Sequence, residues 1–176
     1  FDYNRSFGKH DVYSQLKWEY EFRDTYGVNT SIYRQNISWY THYGFNKRYY
    51  VDLALVGSAS NLLAPGHKWA FSPTVSAAWV LSEEDFIKNL NIFSNLKLRA
   101  SYGQTGNQGI NSYQTMVSLG SANYPFGGIT DSGFAGDTSK GPLNKDLKWE
   151  TTDQYNVGLD FGFLKNRIAL SVNYYY

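Results

Sequence analysis

Cysteine is absent from the 176 residues, which excludes disulfide frameworks, zinc ribbons and thiol catalysis. Long apolar runs are absent too. Nothing in the chain approaches the roughly 18 to 20 consecutive apolar residues of a membrane helix, so a helical membrane protein is excluded. A membrane β-barrel is not, because only alternate residues of its strands face lipid. Excess charge of either sign is also lacking: 16 Lys and Arg against 15 Asp and Glu leave a net +1, no footprint for nucleic acid or a polybasic anchor. The chain opens on Phe1, without the charged-then-apolar pattern of a signal segment, and closes on "SVNYYY" inside an alternating run. It reads as an excerpt of a longer protein. Aromatic residues are abundant: 16 Tyr, 11 Phe and 5 Trp, in a chain whose mean hydropathy is nevertheless -0.47.

Those aromatics fall on a period of two. From Val12 to Arg23 the even positions read Val12, Ser14, Leu16, Trp18, Tyr20 and Phe22 against Tyr13, Gln15, Lys17, Glu19, Glu21 and Arg23. Such alternation predicts a strand with one apolar and one charged face. The same pattern predicts strands over Asn36 to Phe45, Arg48 to Ser58, Trp69 to Leu81, Leu96 to Gly103, Leu147 to Phe163 and Arg167 to Tyr176. "FDYNRSF" reads as the tail of one more.

The connections divide by length. "FGKH", "FNKR" and "FLKNR" are tight turns; "DTYGVNTS", "GSASNLLAPGHK" and Gly103 to Asp146 are long and rich in Gly, Asn, Ser and Pro. If successive strands reverse, the tight turns share one edge and the long loops the other. On the tight-turn edge, "LSEEDFIKNLNIFSN" predicts a short helix with Ser82 as N-cap. Asn111 to Leu119 also alternates, but a crossing there would put a long loop on the tight-turn edge, so it is placed within the loop. Pro73 lies on the apolar parity of its strand, where a bulge or kink is expected.

Alternation alone fits a soluble sandwich as well as a barrel. Three further features favour the barrel. The expected strands are long enough for the roughly 9 to 11 residues that cross a bilayer at a tilt. The short-turn and long-loop edges match the two rims of an outer-membrane barrel. The large aromatics also form two bands: Trp18, Tyr20, Phe22, Trp69, Phe71, Tyr102 and Trp149 toward the long loops, and Tyr43, Phe45, Tyr49, Trp79, Phe161 and Phe163 toward the short turns. Between them lie smaller aliphatic residues such as Val51, Leu53, Leu55, Val75, Val157, Leu159 and Leu170. That is the girdle of a transmembrane barrel, since amphipathic rings favour the headgroup level. A lysine turned toward lipid costs about 2 to 4 kcal/mol at the midplane. The polar parity is therefore expected to face the lumen, carrying Lys17, Glu19, Asp52, Lys97, Arg99, Lys148, Glu150 and Asp160, to solvate it, bond a plug or contact substrate.

Other motifs carry little chemistry. His10, His42 and His67 share no ligand spacing, so no metal site is expected. "GQTGNQG" lacks both the Lys-Ser/Thr ending of a phosphate loop and the spacing of a dinucleotide turn, and reads as a strand leaving into a loop. The acids of "SEEDF" suit a helix start better than acid-base catalysis. Tyr124 and Phe126 in "SANYPFGG" are candidate loop contacts for a sugar ring or a partner.

Taken together, "LKLRASYGQTGNQGI", "FSPTVSAAWVLSEEDFIK" and "LKWETTDQYNVGLDFGFLKNRIALSVNYYY" resemble the barrel of the SusC/RagA family of TonB-dependent outer-membrane transporters of Bacteroidota. The resemblance covers most of the chain, with "NRSFGKHDV" included. It departs at "LVGSASNLLAPGHKWAFSP", which keeps only a Gly-Ser core of a charged stretch found in familiar members. The resemblance implies an all-β, transmembrane antiparallel barrel of roughly 22 strands. Residues 1 to 176 would supply about seven to eight strands of its C-terminal half, without plug or signal segment. It further implies a non-enzymatic importer without cofactors, energised by TonB through the missing N-terminal part. A SusD-like surface lipoprotein would lid it, outer-membrane lipid would surround it, and a glycan or peptide oligomer would be its substrate. The alternatives are a passive porin-like barrel and a secreted, aromatic-rich carbohydrate-binding β-sandwich.

Overall fold

Reversing strands of alternating residues pair best with their sequence neighbours, and the computed structural model shows this. It describes residues 1–25, 30–107, 109, 119–126, 129–136 and 146–176. The strands are β1 (Asp2–Phe7), β2 (His10–Thr25), β3 (Thr30–Phe45), β4 (Tyr49–Ser60), β5 (Trp69–Val80), β6 (Phe93–Asn107), β7 (Leu119–Phe126), β8 (Ile129–Gly136), β9 (Glu150–Phe163) and β10 (Ile168–Tyr175). Eight of them form one antiparallel sheet in the order β1-β2-β3-β4-β5-β6-β9-β10, and β7 and β8 form a separate hairpin. Since β6 pairs directly with β9, the hairpin is an insertion in the long loop and adds no strand to the wall. Of the alternating Asn111 to Leu119, only Leu119 is among the described residues, at the start of β7.

The tight turns use left-handed backbone. Between Phe7 and His10 the two-residue turn begins with Gly8 at φ 59, the position where a type II′ hairpin needs glycine. Asn46 and Lys47 take φ 51 and 57 between β3 and β4. Between β9 and β10, Leu164, Lys165 and Asn166 take φ 51, 59 and 60 in succession. For a residue such as leucine this region costs about 1 to 2 kcal/mol.

Several strands differ in extent from the sequence reading. β3 begins at Thr30 rather than Asn36, because the hairpin with β2 stays in register to Thr25↔Thr30. β9 begins at Glu150, leaving Leu147 to Trp149 outside the strand. β6 does not stop at Gly103. It runs to Asn107, because β9 supplies partners from Gly103↔Gln154 to Asn107↔Glu150 and the glycines pair through their backbone. At its other end, a bulge at Ser94 lets Phe93 and Leu96 share a face although three positions apart, facing Phe163 and Phe161.

Pro73 produces no bulge: β4 and β5 keep one register from Tyr49↔Trp79 to Ala59↔Trp69. The reason lies in ladder direction. Val80 N–H donates to Arg48 O and Ser60 N–H to Lys68 O, so the even positions of β5 bond β4 and the odd ones face β6. The donor that Pro73 lacks is thus the one that would reach β6, and the β5–β6 ladder ends at the neighbouring pair, Thr74↔Gly103. A shallow apolar groove lies there, lined by Trp39, Leu55, Pro73, Val75 and Tyr102.

Ser82 is not the N-cap of the short helix. A single 3-10 turn spans Leu81–Glu83, and α1 (Asp85–Lys88) follows with Glu84 at its N-cap position and no side-chain cap bond. Instead the Glu84 carboxylate accepts from Tyr49 Oη (2.7 Å), Trp79 Nε1 (3.1 Å) and Arg48 Nη1 (3.0 Å). Tertiary bonds to the wall outweigh the local cap, and the segment is fastened to the rim by one side chain.

The wall has no interior of its own. On β4 the apolar Tyr49, Val51, Leu53 and Leu55 are exposed while Tyr50, Asp52, Ala54 and Val56 between them are half-buried. Exposed large hydrophobics recur on the same face of β2, β3, β5, β9 and β10. In a soluble sandwich the apolar face would be the covered one. Among the described residues, the buried apolar side chains are Ala59, Leu62, Leu63, Ala64 and Leu96. Most of them belong to the β4–β5 loop, which Asn61 ties to β3 through Ser31 O (2.8 Å) and Tyr33 N–H (2.9 Å).

Candidate site on the polar face of the wall

Register decides which polar side chains meet. Asp52 on β4 lies across from His42 on β3 and Ser76 on β5. Its carboxylate accepts from Tyr40 Oη (2.8 Å) and Ser76 Oγ (2.9 Å) and contacts His42 Nδ1. The His42 ring stacks on Tyr50 at 5.7 Å, and Lys97 Nζ on β6 lies 5.8 Å from the Tyr50 ring, a cation–π contact.

Arg99 on β6 forms the second centre. Its guanidinium bonds Asp160 in a two-pronged fork, Nε to Oδ2 at 2.7 Å and Nη2 to Oδ1 at 2.8 Å, and Nη2 also donates to Asn173 Oδ1 at 3.0 Å. Ser171 Oγ completes Asp160 at 2.8 Å. The arrangement depends on Gly158, which faces Arg99 on one side and Asn173 on the other. A Cβ there would lie 2.6 Å from Asn173 Oδ1 and 3.0 Å from Arg99 Nη2, so the guanidinium lies across the glycine to reach two strands. Polar contacts therefore cross the face from β3 to β10.

The other expected residues stand apart. Lys17 and Glu19 pair with each other on β2, about half-exposed. Lys148 and Glu150 are exposed at the long-loop end of β9. The side chains of Tyr124 and Phe126 lie outside the described residues; their backbones pair with Asp131 and Ile129 in the hairpin. The sequence reading missed Tyr40, His42, Tyr50, Ser76, Ser171 and Asn173 as partners, although each lies on the polar parity of its strand. Among the described residues, no three His, Asp or Glu side chains gather as a metal group would require.

The opposite face carries the rings. Toward the long loops, Trp18 meets Tyr20, Trp69 stacks on Phe71 and Tyr102 meets Tyr155 at 4.9 Å. Trp149, just outside β9, donates from Nε1 to Lys68 O. Toward the short turns, Phe45, Tyr49 and Trp79 stack in series, Phe161 stacks on Phe163, and His10 bonds Tyr43 Oη at 2.8 Å. Midway, Trp39 Nε1 donates to Ser14 Oγ (3.1 Å), which pairs with Thr41 Oγ1 (2.9 Å), so these polar groups satisfy one another on an apolar surface.

An antiparallel wall with its apolar face open, its polar face cross-linked, tight turns on one edge and long loops on the other is a section of a membrane β-barrel. The chain belongs to the TonB dependent receptor-like, beta-barrel family, whose sequence profile matches residues 2–176. It is 37% identical over 135 residues to TonB-dependent receptor P26 of Formosa agariphila, covering 77% of this chain and 13% of that protein. It is 34% identical over 140 residues to TonB-dependent receptor SusC of Bacteroides thetaiotaomicron, covering 77% of this chain and 14% of SusC. The chain thus spans about one seventh of the length of these relatives. Its fold matches the RagAB peptide importer in the open-open state with a TM-score of 0.83 at 24% identity, over 99% of this chain and 22% of that one.

Proposed function

We propose that residues 1 to 176 form part of the C-terminal half of the barrel wall of a TonB-dependent importer, multi-pass in the outer membrane, that takes up a glycan or peptide oligomer. The observation that carries this reading is membership of the receptor barrel family across almost the whole chain, together with 34% identity to SusC. The aromatic face meets outer-membrane lipid, its bands at the two interfaces. The polar face lines the lumen. There Asp52, Lys97, Arg99 and Asp160 are largely engaged with neighbouring strands, which suits a stiff wall against a plug. Lys17 and Glu19 line the same face. Lys148 and Glu150, at the loop edge, are the better placed for substrate. The hairpin bearing Tyr124 and Phe126, inserted between β6 and β9, is the proposed contact for a SusD-like lipoprotein or substrate, while TonB acts on a part of the protein outside these residues. The protein is a transporter and catalyses no covalent step.

Two measurements test this in the full-length protein. Leu53→Lys places a charge on the apolar face, at a cost up to about 2 to 4 kcal/mol near the midplane, whereas Ala54→Lys points it to the lumen. Outer-membrane yield is expected to fall for the first and to hold for the second; equal yields would overturn the assignment of faces. Uptake of a labelled oligomer is expected to stop when the proton gradient is dissipated. Persistent uptake would replace the importer with a passive barrel.

A further inference from the structure

A cavity of about 690 Å³ opens at the short-turn edge, between the segment joining α1 to β6 and the β9–β10 turn. Its lining joins three cations, Lys88, Lys165 and Arg167, to three apolar side chains, Ile92, Phe93 and Leu164, with Asn91 and Ser94 beside them. Among the described residues, its lining holds no carboxylate. Lys88 is paired with Glu83 at 2.8 Å, but Lys165 and Arg167 form no ion pair among the described residues. Counting Glu83, the three cations leave an excess of two positive charges, and such an excess beside low-dielectric walls attracts an anion.

The site is built into the fold. The bond from Lys165 N–H to Ser94 Oγ, at 2.7 Å, pins the turn to the bulge of β6. The left-handed run from Leu164 to Asn166 carries Leu164 outward, where it is 66% exposed, while Ile92 is 56% exposed. Phe93 continues the apolar part of the lining toward the aromatic face, its ring 5.3 Å from Phe163 and 6.3 Å from Phe161. A small hydrated anion would use the cations and leave Ile92 and Leu164 in water. An anion attached to a hydrocarbon chain satisfies both halves.

The geometry points to a binding site for an anionic phospholipid, its phosphate held by Lys165 and Arg167 and its acyl chain laid along Leu164, Ile92 and Phe93. Arg167 offers the planar fork that suits phosphate, Lys165 a point charge. The lipid comes from the leaflet at the short-turn edge, where cationic side chains next to an apolar span attract anionic headgroups. This inference rests on the proposed membrane embedding of the wall.

Native mass spectrometry of the detergent-solubilised full-length protein tests it, with phosphatidylglycerol or phosphatidylcholine added and inorganic phosphate as competitor. Phosphatidylglycerol is expected to be retained roughly tenfold over phosphatidylcholine, and K165Q/R167Q to reduce it to the phosphatidylcholine level. Leu164→Gln is expected to weaken retention of both lipids, and inorganic phosphate alone to leave the lipid bound. Heat-dependent gel mobility verifies that each variant is a folded barrel, and Arg167→Gln alone serves if the double variant is not. Undiminished phosphatidylglycerol preference in the folded variants overturns the site. So does displacement by inorganic phosphate with no effect of Leu164→Gln, which marks a free-anion site. Uptake followed in parallel separates the two readings: lost energised uptake in the unsubstituted protein counts against the importer, and lost lipid preference with uptake intact bears on the site alone.

Discussion

Replacing Gly158 by alanine adds one methyl group to the polar face, and its effect can be worked from three distances. The new Cβ would stand 2.6 Å from Asn173 Oδ1, 3.0 Å from Arg99 Nη2 and 3.1 Å from Arg99 Cζ, so the guanidinium must lift away. Lifting it breaks the fork to Asp160 and the bond to Asn173. Hydrogen bonds to charged groups contribute about 1.5 to 3 kcal/mol, and the pair is partly exposed, which lowers the expected loss to about 1 to 2 kcal/mol. The assay is a double-mutant cycle on the full-length protein in detergent, read as the guanidinium chloride midpoint followed by tryptophan fluorescence. Gly158→Ala is expected to lower the midpoint in the wild-type background and to lower it less beside Arg99→Ala, where only the Asn173 side chain, released from its bond to the guanidinium, must turn aside. Equal losses in both backgrounds would show that the glycine serves the backbone of β9 and would refute the reasoning.

Two further outcomes follow from the rim and from the proline. The Glu84 carboxyl is held below its ordinary value of 4.5, chiefly by the hydrogen bond from Tyr49, then by that from Trp79 and the charges of Arg48 and Lys88, with desolvation opposing. Its contribution is therefore present above 4.5 and lost as pH falls through the depressed value. Glu84→Gln should lower the thermal midpoint at neutral pH, and its gap from wild type should close in acid; a constant gap would mean the carboxylate charge is immaterial. Pro73→Val restores a donor aimed at β6, so amide exchange over residues 69–75 should slow, and unchanged exchange would refute the ladder argument.

Parity and turn chemistry made the wall legible from sequence. Leu53, Val51 and Leu55 share a face because the strand period is two, and "FGKH" or "FNKR" fix which strands are neighbours. What escaped depended on partners. Nothing in "ITDSGFAG" alternates bulky with polar residues, so the hairpin of Leu119 to Gly136 was hidden, its pairs joining small residues such as Gly120↔Ala135. Ser82 has the chemistry of a cap, but the Glu84 carboxylate finds Arg48, Tyr49 and Trp79 on other elements. Pro73 suggested a bulge because sequence shows a missing donor without showing which neighbour it faces. At the candidate site, charge type identified Arg99 and Asp160, while Gly158, whose lack of a side chain lets them meet, gave no chemical signal.

The ladder that ends beside Pro73 also divides the wall mechanically. The β2–β3 seam is paired from His10 to Thr25 and the β6–β9 seam from Phe93 to Asn107, whereas β5 and β6 are joined only from Thr74 to Val80. Two broad leaves, β2 to β5 and β6 with β9, thus meet along a short hem. Under strain transmitted through the barrel, this hem is where these two leaves would part from each other, from the long-loop rim downward. Each leaf would stay intact, because a tear stops where backbone pairs resume.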